Sequence, residues 1–121
     1  MRSHFILYVK DQEKSTEFYR FVLAKEPILN VPGMTEFILN RETILGLMPE
    51  TSIKNLLGKE LPDPQQAHGI PRAEVYLIVK NANEYFKRAL SKGGKTLSQM
   101  ELRDWGPQVA YCLDLDGHVL A

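Results

Sequence analysis

Two stretches of the chain alternate between apolar and mixed positions with the period of an extended strand. In Ser3–Lys10, Phe5, Leu7 and Val9 share one face, while His4, Ile6 and Tyr8 share the other. In Ala73–Lys80, Val75, Leu77 and Val79 share one face, while Glu74, Tyr76 and Ile78 share the other. Each run ends in Val-Lys followed by Asp or Asn, and each leads into a helical pattern. The purely apolar face suits packing beneath that helix. The other, with one ionisable group and one tyrosine, suits the lining of a cavity.

After Asp11, Ser15 or Thr16 is expected to cap a helix that places Phe18, Phe21, Val22 and Lys25 at helical spacing, with Leu23 widening the apolar stripe and Pro27 closing it. Residues 25–31 read as a short strand, Pro32-Gly33 as a turn, and Met34–Leu39 and Thr43–Met48 as two further strands. After the second run, Asn81 is placed to cap a helix with Ala82, Tyr85, Phe86, Ala89 and Leu90 on one face, ending at Gly93-Gly94. Strands follow at Lys95–Glu101 and Gln108–Leu113. Asp114-Leu115-Asp116-Gly117 reads as a turn, and His118–Ala121 opens a last strand. The order β-α-β-β-β therefore occurs twice. Module 1 covers about 1–49 and module 2 about 72–121 of a single expected domain, 1–121. The proline-rich connection, 50–71, contains Ile53, Leu56 and Leu57 at the spacing of a short helix.

Fifteen basic and fifteen acidic residues cancel. No electrostatic footprint for nucleic acid or an anionic membrane results, so neither is expected as a partner. No apolar run approaches the ~18 residues of a membrane span, and a cytoplasmic location is the expectation. The single cysteine, Cys112, lies among apolar neighbours and reads as a small buried hydrophobe.

The repeat, the opening His-x-x-x-Tyr-Val-x-Asp with Thr-Glu-Phe-Tyr-Arg-Phe-Val-Leu behind it, and the closing Asp-Leu-Asp-Gly-His together resemble the vicinal-oxygen-chelate superfamily. That group includes glyoxalase I, bleomycin-resistance proteins and extradiol dioxygenases. The resemblance implies an α+β fold of two βαβββ modules forming curled mixed sheets around a cavity between them. It also implies pairing of copies into a homodimer.

Family metalloenzymes take one ligand from each of the first, fourth, fifth and eighth strands. Here those positions fall on His4, Gly46, Glu74 and Ala121, so two of the four carry no donor and at most a weakly held divalent ion is expected. The resemblance implies a binding role toward a small, partly apolar molecule, with Tyr8, Gly46, Met48, Tyr76, Trp105 and Tyr111 as lining residues. The alternative is a metal-dependent lyase, isomerase or dioxygenase acting on adjacent substrate oxygens, with Glu74 as base. For His4 and Glu74 the competing reading is structural, a strand-end histidine and a surface glutamate. Each tyrosine could equally be an ordinary core aromatic.

Overall fold

The computed structural model describes residues 1–121. Eight strands and three helices follow in the order β1 (Ser3–Val9), α1 (Gln12–Leu23), β2 (Leu29–Val31), β3 (Met34–Asn40), β4 (Thr43–Pro49), α2 (Glu50–Leu57), β5 (Glu74–Val75), α3 (Ala82–Ser91), β6 (Lys95–Leu102), β7 (Gln108–Leu113) and β8 (Val119–Leu120). They form two four-stranded sheets of like topology, β1-β4-β3-β2 and β5-β8-β7-β6, with β1–β4 and β5–β8 parallel and the other pairs antiparallel. The expected βαβββ repeat is thus present. The sheets are open and not strongly curled. Two compact units result, one of Met1–Arg20 with Ala24–His68, the other of Gly69–Ala121 with Phe21–Leu23.

In unit 1 a buried hydrogen bond shows which side of the sheet α1 covers. Thr35 on β3 gives its one hydroxyl proton to Asn30 Oδ1 at 3.2 Å, so Thr16 on α1 must donate to Thr35 across their 2.8 Å contact. Gln12 adds bonds to Thr35 Oγ1 and to the Val31 carbonyl. Phe37 lies on the same face as Thr35, and the strand register brings Leu45, Leu47, Phe5 and Leu7 to that face as well. Leu7, Val9, Phe37, Leu45 and Leu47 are buried there, as are Phe18 and Tyr19, whose rings meet edge to face at 5.1 Å. Burial of this apolar surface is the main stabilising term of the unit.

Five expectations for residues 1–68 need correction. Helix α1 begins at Gln12, before Ser15 and Thr16, because Asp11 takes the capping role and accepts the Lys14 N–H at 3.0 Å. Ser15 and Thr16 are instead buried within the helix, and Tyr19 takes the core position assigned to Phe21, which is half exposed. Phe5, expected on the packed face, is 43% exposed, although its register partner Leu45 is fully buried. Only Leu29–Val31 of the stretch 25–31 pairs as a strand. In the connection, Glu50–Leu57 is helical as the spacing predicts, but it buries Ile53 and leaves Leu56 and Leu57 exposed.

In unit 2 the alternation of Val75 and Leu77 against Glu74, Tyr76 and Ile78 holds, although regular pairing stops at Glu74–Val75. The Asp-Gly turn forms as expected. Asp114 Oδ1 accepts the Asp116 and His118 N–H groups, each at 2.9 Å, and Gly117 has φ +86°. A Cβ at Gly117 would come within 2.5 Å of the Gly69 carbonyl oxygen, so a residue without a side chain is required there.

Truncation in the unit 1 core should be costly. Leu45→Ala is expected to lower stability by roughly 2–5 kcal/mol, whereas Leu57→Ala should stay within about 0.5 kcal/mol. Urea denaturation midpoints check this, and similar losses for the two would contradict the assigned core.

Candidate functional site

The side of the first sheet opposite Thr35 and Phe37 carries most of the ionisable and aromatic residues expected to matter in unit 1. Tyr8 stands beside Met48 on β4, Ile6 beside Gly46, and His4 beside Ile44. On β3, Glu36 pairs with Gly46 and Ile38 with Ile44. On edge strand β2, Leu29 and Val31 fall opposite Glu36 and Met34. His4, Tyr8, Gly46 and Met48 are thereby brought together on one face.

The carboxylate nearest His4 is Glu36, at 3.4 Å between Nδ1 and Oε1. The two side chains sit on strands separated by β4, a lateral gap of roughly 10 Å between backbones that both must span. Gly46 supplies no side chain at that crossing. A Cβ there would meet Ile6 Cγ1 at 3.0 Å and Met34 Sδ at 3.3 Å, so those two apolar side chains already occupy the space. The pair is part-exposed and contributes little stability, on the order of 0–1 kcal/mol. It is an ion pair when the imidazole is protonated. Its interest is chemical, because it is the one acid–imidazole contact on a face that carries Tyr8 and is otherwise formed by Ile6, Met34, Ile38, Ile44 and Met48.

In unit 2, Glu74 and Tyr76 share the corresponding face of the second sheet and are both exposed. Tyr111 lies on β7 with the Arg103 guanidinium 5.2 Å from its ring centroid. Arg103 also donates to Ser98 Oγ at 2.7 Å and to the Val109 carbonyl at 2.9 Å, which holds it over the ring. Trp105, in the turn between β6 and β7, is 62% exposed. Glu36 and Arg103 were not singled out from the sequence. Alternation along Met34–Ile38 places Glu36 on the same face as Met34, but only the strand order brings that face beside His4.

The donors do not fit the family's metal site. The fourth-strand position is a glycine whose surroundings are packed by Ile6 and Met34, and the eighth-strand position, Ala121, has no donor atom. No group of three or more His, Cys, Asp or Glu side chains capable of holding a metal ion occurs, and neither His68 nor His118 completes one.

Cys112 faces the helix side of the second sheet and is buried. Burial, with the nearby Asp114 carboxylate second, pushes its thiol from the ordinary 9.0 to about 11.

Two like units, each with an open sheet face bearing a few polar groups, define a member of the glyoxalase-type βαβββ class. The family model described as the Glyoxalase/Bleomycin resistance protein/Dioxygenase superfamily matches residues 2–121, and the chain belongs to that superfamily. Solved structures agree on the fold. A glyoxalase-related enzyme from Fulvimarina pelagi is similar with a TM-score of 0.81 at 19% identity, over 99% of this chain and 84% of that one. Protein ATC0852 from Agrobacterium tumefaciens is similar with a TM-score of 0.76 at 24% identity, over 99% and 93%. A glyoxalase/bleomycin resistance protein/dioxygenase from Nocardioides gives 0.72 at 20%, over 99% and 80%. At these identities the likeness shows the fold alone. No curated protein matches the chain significantly.

Because the Cys112 thiol stays protonated well above neutrality, a disulfide reagent at pH 8 should modify it at least tenfold more slowly in the folded protein than in urea. Raising an acid's pKa on folding means the native state holds the proton longer. Stability should therefore fall as pH rises from 9.0 towards about 11, and Cys112→Ala should flatten that part of the profile. Equal labelling rates with and without urea would count against the burial.

Proposed function

We propose that the protein binds a small, partly apolar molecule on the open face of unit 1 and acts by holding it rather than by transforming it. The observation that carries this reading is the His4–Glu36 pair set among apolar side chains, at 3.4 Å, with the adjoining position 46 lacking any side chain. Ile6, Met34 and Met48 offer a surface for a flat apolar body, and methionine adapts readily to irregular shapes. Tyr8 adds an aromatic ring with a phenolic group. His4 and Glu36 offer complementary partners for one polar group of the ligand. Such a division, an apolar surface with few polar groups, is characteristic of small-molecule sites.

Membership of a superfamily that includes bleomycin-resistance proteins supports the reading. The metalloenzyme alternative draws no support from the donor set, since His4 and Glu36 are two ligands and positions 46 and 121 add none. We also propose that copies of the chain pair through exposed apolar residues near edge strand β2, including Leu29 and Val31, because natural proteins cover such edges. Light scattering at tens of micromolar, on the order of usual assay concentrations, should give a dimer mass.

The binding reading is tested with 1-anilinonaphthalene-8-sulfonate as a flat, mostly apolar probe. Ile6→Asp places a carboxylate in the centre of the face and should weaken probe binding about tenfold or more, equivalent to about 1.4 kcal/mol. His4→Gln should weaken it less, while both variants keep the wild-type denaturation midpoint within roughly 1 kcal/mol. If both bind the probe as the wild type does, the unit 1 face is not the site.

A further inference from the structure

Formal charge on the open face of unit 1 comes down to one carboxylate. Among the residues of β1, β2, β3 and β4 that share this face, Glu36 is the only acid, and none is a lysine or an arginine. Lys25 lies near the sheet, but its ammonium is committed to the Ile38 carbonyl, to which it donates at 3.0 Å. Backbone carbonyls point along a sheet, towards neighbouring strands. That cation is therefore held at the edge.

The Glu36 side chain is 18% exposed, and its carboxylate meets His4 Nδ1 at 3.4 Å. This contact is longer than the ~2.7–2.9 Å of a charge-assisted hydrogen bond. An ionised carboxylate accepts through about four lone-pair sites, so one long contact leaves it with acceptor capacity to spare. Gly46, its register partner, has no side chain, and Ile6 Cγ1 and Met34 Sδ stand 3.0 and 3.3 Å from where a Cβ would be. Hydrocarbon and thioether thus flank the carboxylate, and a charge in such surroundings is screened less than one in open solvent.

We propose that Glu36 determines which ligands this face accepts: apolar molecules whose polar group is uncharged and carries an N–H or O–H donor, with carboxylates and sulfonates of the same shape excluded. The inference rests on the binding role proposed above for the face. A ligand donor can bond to the spare acceptor sites of Glu36 without displacing His4. An anion finds no positive charge on the face unless His4 is protonated, and it has to approach a carboxylate across apolar surroundings. At a separation of ~8 Å and an effective dielectric of ~20, two like unit charges repel by more than the equivalent of a tenfold loss of affinity. Specificity here comes from repulsion of the wrong ligand as much as from attraction of the right one.

The experiment uses two probes with one apolar body, 1-anilinonaphthalene-8-sulfonate and N-phenyl-1-naphthylamine, which lacks only the sulfonate. Both are titrated at low ionic strength and at pH 8, alkaline of the ordinary imidazole range. Glu36→Gln keeps the shape and removes the charge, so it should strengthen binding of the sulfonate about fivefold or more and should not strengthen that of the uncharged probe. Glu13→Gln removes an exposed carboxylate from α1, on the other side of the sheet, and should leave the ratio of the two affinities as in the wild type. The proposal is overturned if Glu36→Gln fails to raise the affinity for the sulfonate relative to that for the uncharged probe, or if Glu13→Gln raises it as much. If neither probe binds, or if both bind the Ile6→Asp variant as they bind the wild type, the binding role itself falls and the inference with it. Failure of the filter alone, with both probes still displaced by Ile6→Asp, leaves that role standing.

Discussion

Burial of Phe37, Leu45 and Leu47 on the face that α1 covers is the constraint from which the rest of unit 1 follows. Side chains alternate across a strand, so committing these three to the helix side commits Glu36, Gly46 and Met48 to the other side with no remaining freedom. A slip of one residue in β4 would put Gly46 into the core and Leu45 onto the open face, losing the burial of a leucine. The Thr16–Thr35 bond reinforces the choice. Thr35 is fully buried, its hydroxyl is already engaged by Asn30 and Gln12, and moving it off the helix side would lose its bonds to Thr16, Asn30 and Gln12. The location of the candidate site is in this sense a by-product of core packing.

Much of this was readable in the sequence because it depends on local periodicity. Leu7 and Val9 against Ile6 and Tyr8, Val75 against Glu74 and Tyr76, and the Asp114–Gly117 turn all rest on contacts or preferences within a few residues. The misplacements also have local causes. Asp11 and Ser15 are both capable caps, and the choice between them depends on whether the next turn is buried, as it is here for Ser15 and Thr16. Phe21 and Tyr19 are both large aromatics on one helix. Which of them enters the core is settled by rotation of the helix on the sheet, which the 3.6-residue period leaves uncertain when apolar residues lie on both sides.

The pairing of His4 with Glu36 was not readable, for a different reason. The two residues meet because β4 inserts between β1 and β3, so that the order in space is not the order in the chain. Periodicity gives the face of each residue but not the neighbour of each strand. Gly46 stands where family metalloenzymes carry a fourth-strand ligand. The consequence, that a glycine at the crossing leaves room for its neighbours to fill, required the registers of both flanking strands.

Position 46 bears on what such a fold can be used for. A carboxylate projecting from β4 would have sat between His4 and Glu36 and gathered charge and donors into the centre of the face. With glycine, Ile6 and Met34 close over that centre, and the remaining polar contact lies to one side, where His4 Nδ1 and Glu36 Oε1 face each other at 3.4 Å. Charge that is already paired and part-solvated is a weak attractor for a bare cation, since the imidazole competes for the carboxylate and the site supplies no third donor. A neutral polar group that both donates and accepts is met by this pair more readily than a bare cation, since the carboxylate accepts and an imidazole N–H donates. One backbone position without a side chain thus removes a donor from the centre of this sheet face and leaves Ile6 and Met34 in its place.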